Sequence, residues 1–123
     1  MIGFFLSLLL VAAIGGDSSN QTQLTKQEAI SILVITGWPE AVRSEALNVM
    51  ECESSLITDR VGDGGNSIGL FQIQWAPDTW KGWKYADGMQ HLKHKKISDP
   101  IINAQVALII YREYGWTPWV CRP

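Results

Sequence analysis

Positive charge is not in surplus in this chain: 10 Lys and Arg stand against 12 Asp and Glu, so the formal net charge is -2 and the pI is near 5.6. A polyanion such as nucleic acid, or an anionic membrane surface, would meet no field that draws it in. Cysteine is scarce, with 2 in 123 residues, and no Cys-x-x-Cys pair occurs. The two histidines, His91 and His94, lie far from either cysteine in a segment made basic by Lys93, Lys95 and Lys96. That donor set does not support a metal site, and both histidines are expected at the solvated surface. No apolar run reaches the roughly 20 residues that a helix needs to cross a bilayer. The length leaves room for one small domain, whose modest core would gain from a covalent staple.

What is present begins with an uncharged apolar run from Met1 to Ile14, followed by Gly15-Gly16 and a polar stretch. Residues 1–16 read as a signal peptide or an uncleaved amino-terminal anchor, 17–24 as a polar linker and 25–123 as the folded domain. No Lys or Arg precedes the run, and no clean Ala-x-Ala site follows it. Either reading expects the remainder outside the cytoplasm, secreted or facing the cell wall, with membrane association if the anchor is retained. Cys52 and Cys121 fit that address: an even count in a short exported chain predicts a disulfide. It would close a loop of about 70 residues, worth roughly 3 to 5 kcal/mol by chain entropy. The 6 Trp are many for the length; indoles suit core packing and also stacking on the CH-rich faces of sugar rings.

Thr25-Lys26-Gln27-Glu28 has the spacing of a capping box, and Ile30, Leu33 and Val34 follow at helical intervals. This helix should stop at Gly37. Pro39 then stands where a second helix would take its first residue, with Ala41, Val42, Ala46, Val49 and Met50 on one face. Glu53 falls at the end of that face, seven residues after Ala46 and three after Met50, whereas Glu51 points away. A carboxyl group shielded from water keeps its proton to higher pH, and a protonated carboxyl is what a departing glycosidic oxygen needs. The plainer alternative is a surface carboxylate paired with Arg60. From Leu56 to Ile73 the helical period is lost, and Gly62-Asp63-Gly64-Gly65-Asn66 is a turn cluster. A short irregular hairpin is expected, returning Gln72 towards Glu53, with Gly69 leaving room for a sugar beside the chain.

Cys52-Glu53-Ser54, then Gly69-Leu70-Phe71-Gln72-Ile73, then Asp99-Pro100 with Asn103-Ala104 opening a helix, resemble the lysozyme-like superfamily of peptidoglycan-cleaving domains. The nearest groups by pattern are soluble lytic transglycosylases, goose-type lysozymes and resuscitation-promoting factors, over roughly Pro39 to Cys121. The resemblance implies that Glu53 is the catalytic acid and base, that Gln72 lines the sugar cleft and that Ser54 contacts substrate. Asp63-Gly64-Gly65-Asn66-Ser67-Ile68-Gly69 is similar to the goose-type string in which the Asp is an auxiliary carboxylate. A second family carboxylate would fall at position 74, which is Gln74 here. An inverting hydrolase uses a second carboxylate to activate water. A transglycosylase works with one, because the muramic acid's own 6-hydroxyl closes on the anomeric carbon.

The rest reads as cleft wall and closure. Trp75, Trp80 and Trp83 surround Pro77-Asp78-Thr79, and about one of the three is expected in the sugar groove, with Trp75 the candidate. Lys84 to Ile97 reads as a surface loop. Asp99 caps a helix with Pro100 in its first turn, carrying Ile101, Ala104, Val106, Ala107, Leu108, Ile110 and Tyr111, and Gly115 ends it. Tyr111 or Tyr114 is the candidate cleft tyrosine. The expectation is a mainly helical α+β domain of lysozyme-like type, monomeric and without cofactor. It would cleave the β-1,4 bond between N-acetylmuramic acid and N-acetylglucosamine by transglycosylation. The alternatives are a goose-type muramidase using Glu53 and Asp63, or an inactive module that only binds the glycan.

Overall fold

The computed structural model describes residues 22–74 and 96–123, which form an α+β arrangement of three helices and one small antiparallel sheet. The amino-terminal segment, Trp75, Trp80, Trp83 and both histidines lie outside the described residues. Helix α1 spans Lys26–Ile35 and opens with the capping box: the Glu28 N–H donates to Thr25 Oγ1 at 3.1 Å, and the Thr25 N–H to Glu28 Oε1 at 2.8 Å. Two of the four otherwise orphaned groups at the helix start are thereby satisfied. The chain leaves α1 through Gly37, whose φ of +92° a side chain would resist.

Of the expected apolar face of α1 only Leu33 is buried. Ala29 and Leu33 are fully buried, whereas Ile30 and Val34 are 38% and 49% exposed. All these positions repeat at helical intervals, so periodicity alone could not say which side meets the other two helices. Pro39 also differs: it precedes a 3-10 turn, Glu40–Val42, which runs into helix α2 at Arg43–Ser54. Proline's fixed φ starts a tight turn as readily as an α-helix. Ala46, Val49 and Met50 on α2 are buried, as their spacing predicts.

After α2 the backbone turns sharply at Ser55 and Leu56, both at positive φ. The chain before α1 is pinned here, with Leu24 N–H donating to Leu56 O at 2.9 Å and Thr58 N–H to Thr22 O at 2.9 Å. The expected hairpin is a three-strand meander: β1 (Val61–Gly62), β2 (Ser67–Ile68) and β3 (Ile73–Gln74), in the order β1-β2-β3. A second turn at Gly69–Gln72 adds the third strand, because Gly69 at φ +86° and Gln72 at φ +49° reverse the chain again.

Helix α3, Pro100–Tyr114, is capped by Asp99, whose Oδ1 accepts from Ile101 N–H at 2.8 Å, and it ends at Gly115. One polar side chain on its inner face ties helix to sheet. Asn103, fully buried, accepts from Phe71 N–H at 2.8 Å and donates to the carbonyls of Ile68 and Ile97, each at 2.9 Å. Three backbone groups of the turn and the α3 approach thus find partners away from water. Ile97 is buried beside them rather than on a surface loop.

Aromatic rings close the core. Trp38, fully buried, stacks between Phe71 at 5.3 Å and Trp116 at 5.6 Å, and its indole N–H donates to Ala104 O at 3.0 Å. Trp119 packs edge-on against Trp116 at 5.1 Å and donates its indole N–H to Phe71 O at 2.9 Å. All three described tryptophans thus take part in core packing. The disulfide Cys52–Cys121 is present, joining α2 to the carboxyl-terminal tail with 5.9 Å between Cα atoms.

Candidate active site

Glu53 sits in the last turn of α2, one residue before the helix ends, beside the cleft that the meander also lines. The side chain is half-buried. Its Oε2 accepts from the Cys121 N–H at 3.1 Å, so its partner among the described residues is main chain rather than Arg60. Burial pushes the Glu53 carboxyl above the ordinary carboxylate range; the Cys121 N–H opposes this, the nearby Asp63 charge reinforces it and the Val120 N–H opposes it again, with a net rise. Glu51, on the other side of the helix, makes an ion pair with Lys26 at 3.6 Å.

Glu53 opens into a cleft of about 190 Å³. One wall is polar and comes from the meander: Asp63, Ser67, Gln72 and Gln74. The other is mainly apolar, formed by Ile110 of α3 and by Pro118, Trp119 and Val120 of the tail, with Ile73 between. Each meander residue is held by local backbone geometry. Asp63 lies in a 3-10 turn, Asp63–Gly65, which Gly64 at φ +65° allows to reverse, and its Oδ2 accepts from the Ser67 hydroxyl. Gln72 donates from Nε2 to the carbonyls of Arg60 at 2.9 Å and Gly69 at 3.0 Å. Its amide hydrogens brace the meander, leaving Oε1 to lie over Gly62, where a Cβ would collide with it.

Glu53, Asp63 and Gln72 thus line a single cleft, while other expected site residues are used differently. Ser54 is fully buried and donates its hydroxyl to Met50 O at 2.9 Å, one turn back, so it does not reach the cleft. The side following the acid on a helix is rotated by about 100°, which carries residue 54 into the core. Gly69 is buried, and the space a side chain would need there is filled by the Asn103 amide rather than kept open for a ligand. Tyr111 packs its ring against Trp116 at 4.7 Å and Trp38 at 5.4 Å, away from the cleft lining. Trp75 lies outside the described residues.

Sequence reasoning missed Ser67 and the whole tail wall. The tail had a legible signal: Cys52 adjoins Glu53, so its disulfide partner must bring the neighbours of Cys121 to the acid. Among the described residues no group of three or more His, Cys, Asp or Glu could hold a metal ion. None of the described helices is long and apolar enough to cross a membrane. Chemically, the arrangement offers one carboxyl group biased towards its protonated form, a second carboxylate across the turn, and a groove with one polar and one apolar side.

No family model matches the chain, and no solved structure matches it. Over 80 residues it is 29% identical to NAD(P)H-quinone oxidoreductase subunit 5, chloroplastic, of Adiantum capillus-veneris, a match that covers 65% of this chain and 10% of that protein. The chain therefore spans about a tenth of the length of the curated relative it matches.

Proposed function

We propose that the chain is a lysozyme-like lytic transglycosylase that cuts the β-1,4 bond between N-acetylmuramic acid and N-acetylglucosamine in peptidoglycan, with Glu53 as general acid and then base. The observation that carries this reading is a glutamic acid in an open cleft whose burial raises its pKa. A carboxyl group that keeps its proton to higher pH than an exposed one, as that of Glu53 does, can pass it to the leaving glycosidic oxygen as the bond lengthens. The resulting Glu53 carboxylate then takes the proton of the muramic acid 6-hydroxyl as that oxygen closes on the anomeric carbon. The product is a 1,6-anhydro sugar, and the enzyme returns to its protonated form.

The two-sided groove supports a glycan as the substrate. Sugar rings present CH-rich faces and hydroxyl-rich edges, which match the Pro118, Trp119 and Val120 wall and the Asp63, Ser67 and Gln72 wall respectively. Gln74, on β3 in the same cleft, can hydrogen-bond but cannot remove a proton from water. The disulfide is compatible with an extracytoplasmic address, where a wall polymer would be met.

A second reading, hydrolysis, is favoured by Asp63, which faces the same cleft and could activate a water. Mass analysis of muropeptides separates the two: 1,6-anhydro ends support transglycosylation, and reducing ends alone refute it. The experiment that tests the enzyme itself is Glu53→Gln on wall suspensions. Clearing should slow by about 100-fold or more, the usual scale for general acid catalysis, with the fold unchanged. A retained rate, or a wild-type protein that sediments with walls without clearing them, would leave only a binding module.

A further inference from the structure

The carboxyl-terminal tail is held at two places that differ in kind. Up to Trp119 it is clamped by the core: the Trp116 indole donates to Glu45 Oε1 at 3.0 Å, and the buried Trp119 indole to Phe71 O at 2.9 Å. Beyond Trp119 the fastening changes. Val120 is 92% exposed, and Arg122 folds back on its own segment, donating to Trp119 O at 3.0 Å and Thr117 O at 3.1 Å. This last stretch is joined to α2 by the Cys52–Cys121 bond and by main-chain N–H groups that meet the Glu53 carboxyl, Cys121 N–H donating to Oε2 at 3.1 Å with Val120 N–H beside it. The disulfide leaves α2 from the residue next to Glu53 and arrives at the residue whose N–H meets the Glu53 carboxylate. The covalent link and the hydrogen bond therefore share Cys121 at one end and start from adjacent residues of α2 at the other.

We propose that Cys121 is a positioning residue for Glu53, acting through its main-chain N–H, and that the Cys52–Cys121 bond makes this positioning conditional on oxidation. The role in catalysis rests on the reading of Glu53 as the acid; the positioning itself does not. In the oxidised chain the N–H fixes one carboxyl oxygen, Oε2, which restricts the carboxyl plane in the cleft that Glu53 lines. A dithiol reductant supplies two electrons and two protons: the Sγ–Sγ bond breaks to two thiols and the reductant becomes a disulfide. Trp119 then still anchors the apolar wall, while the last four residues lose their hold on α2. Cys52 is exposed and Cys121 half-buried, so the bond is within reach of a soluble thiol.

The test is a proton–nitrogen correlation spectrum of the labelled chain, followed across the acid range together with the Glu53 carboxyl carbon. In the oxidised protein the Cys121 amide proton should titrate with the Glu53 midpoint and stop doing so in Glu53→Gln. An amide that ignores Glu53 overturns the proposal. After reduction with dithiothreitol, or in the Cys52→Ser/Cys121→Ser pair, the residue 121 amide should no longer follow Glu53 while the Trp119 indole signal keeps its position. Wall clearing should then fall about tenfold, the scale of one charge-assisted hydrogen bond. Persistent coupling, or loss of the Trp119 signal with the helical circular dichroism, overturns the conditional role, the second because the bond would be a global staple. If the amide follows Glu53 only when oxidised but neither form clears walls, the positioning stands and the enzymatic reading fails.

Discussion

Removing the Asn103 side chain should cost this protein a large part of its stability, because its amide ties three backbone groups, two buried and one half-buried, to α3. In Asn103→Ala the Phe71 N–H and the Ile68 and Ile97 carbonyls lose their partners. An orphaned buried donor or acceptor costs about 1–3 kcal/mol. Phe71 is fully buried, while Ile68 is half-buried and can recruit water, so the carbonyl costs fall at the lower end. The sum is about 3–5 kcal/mol, against a total of roughly 5–15 kcal/mol for a domain. With an m-value of about 1.5 kcal/mol/M the urea midpoint should move down by roughly 2–3 M. Gly69→Ala should also destabilise, by driving a Cβ into that amide at a φ of +86°. Adding Asn103→Ala to it relieves the collision, so the pair should fall short of the sum by about 1 kcal/mol or more. A loss under about 1 kcal/mol for Asn103→Ala, or strict additivity with Gly69→Ala, would refute the reasoning.

Glu53 holds its proton more tightly folded than unfolded, so the native state binds more protons between the two pKa values and stability declines as pH rises through that window. Glu53→Gln should flatten this decline and be the more stable protein at neutral pH; an unchanged slope of unfolding free energy against pH would contradict the shift. Asp63→Asn removes a charge that raises the Glu53 pKa, so the alkaline limb of the wall-clearing profile should move to lower pH. Under transglycosylation the peak rate should stay within about tenfold, whereas a loss of 100-fold or more would assign Asp63 the base of a hydrolase. Thr25→Ala removes the hydroxyl that caps α1 and should cost about 1 kcal/mol in urea unfolding; no measurable change would mean that the capping box is replaced by water.

Local chemistry made much of the secondary structure legible before any coordinates. Thr25 and Glu28 announce the start of α1, Asp99-Pro100 the start of α3 and Gly115 its end, because a cap is satisfied within a few residues and needs no distant partner. The disulfide followed from cysteine arithmetic, and the alignment of Ala46, Val49, Met50 and Glu53 on one face followed from helical geometry. Where two choices were locally equal, the sequence could not decide. The apolar residues of α1 could turn either of two neighbouring faces inward, and only contact with α2 and α3 selected Ala29 and Leu33 over Ile30 and Val34. The glycines posed the same problem. Gly69 is compatible with an open groove or with a filled one, and it took the Asn103 side chain, 34 positions later in the chain, to fill it.

The cleft was the least legible part, since its apolar wall is built from residues that no pattern links to Glu53. Pro118, Trp119 and Val120 reach the acid because the aromatic cluster around Trp38 draws the tail across the meander and Cys121 fastens it to α2. Which residues could carry a proton was therefore set by amino-acid type and helical phase alone. Whether that proton would be shielded, and by which neighbours, was decided only by tertiary packing, because desolvation and charge depend on what surrounds a carboxyl group in space and not on what adjoins it in the chain.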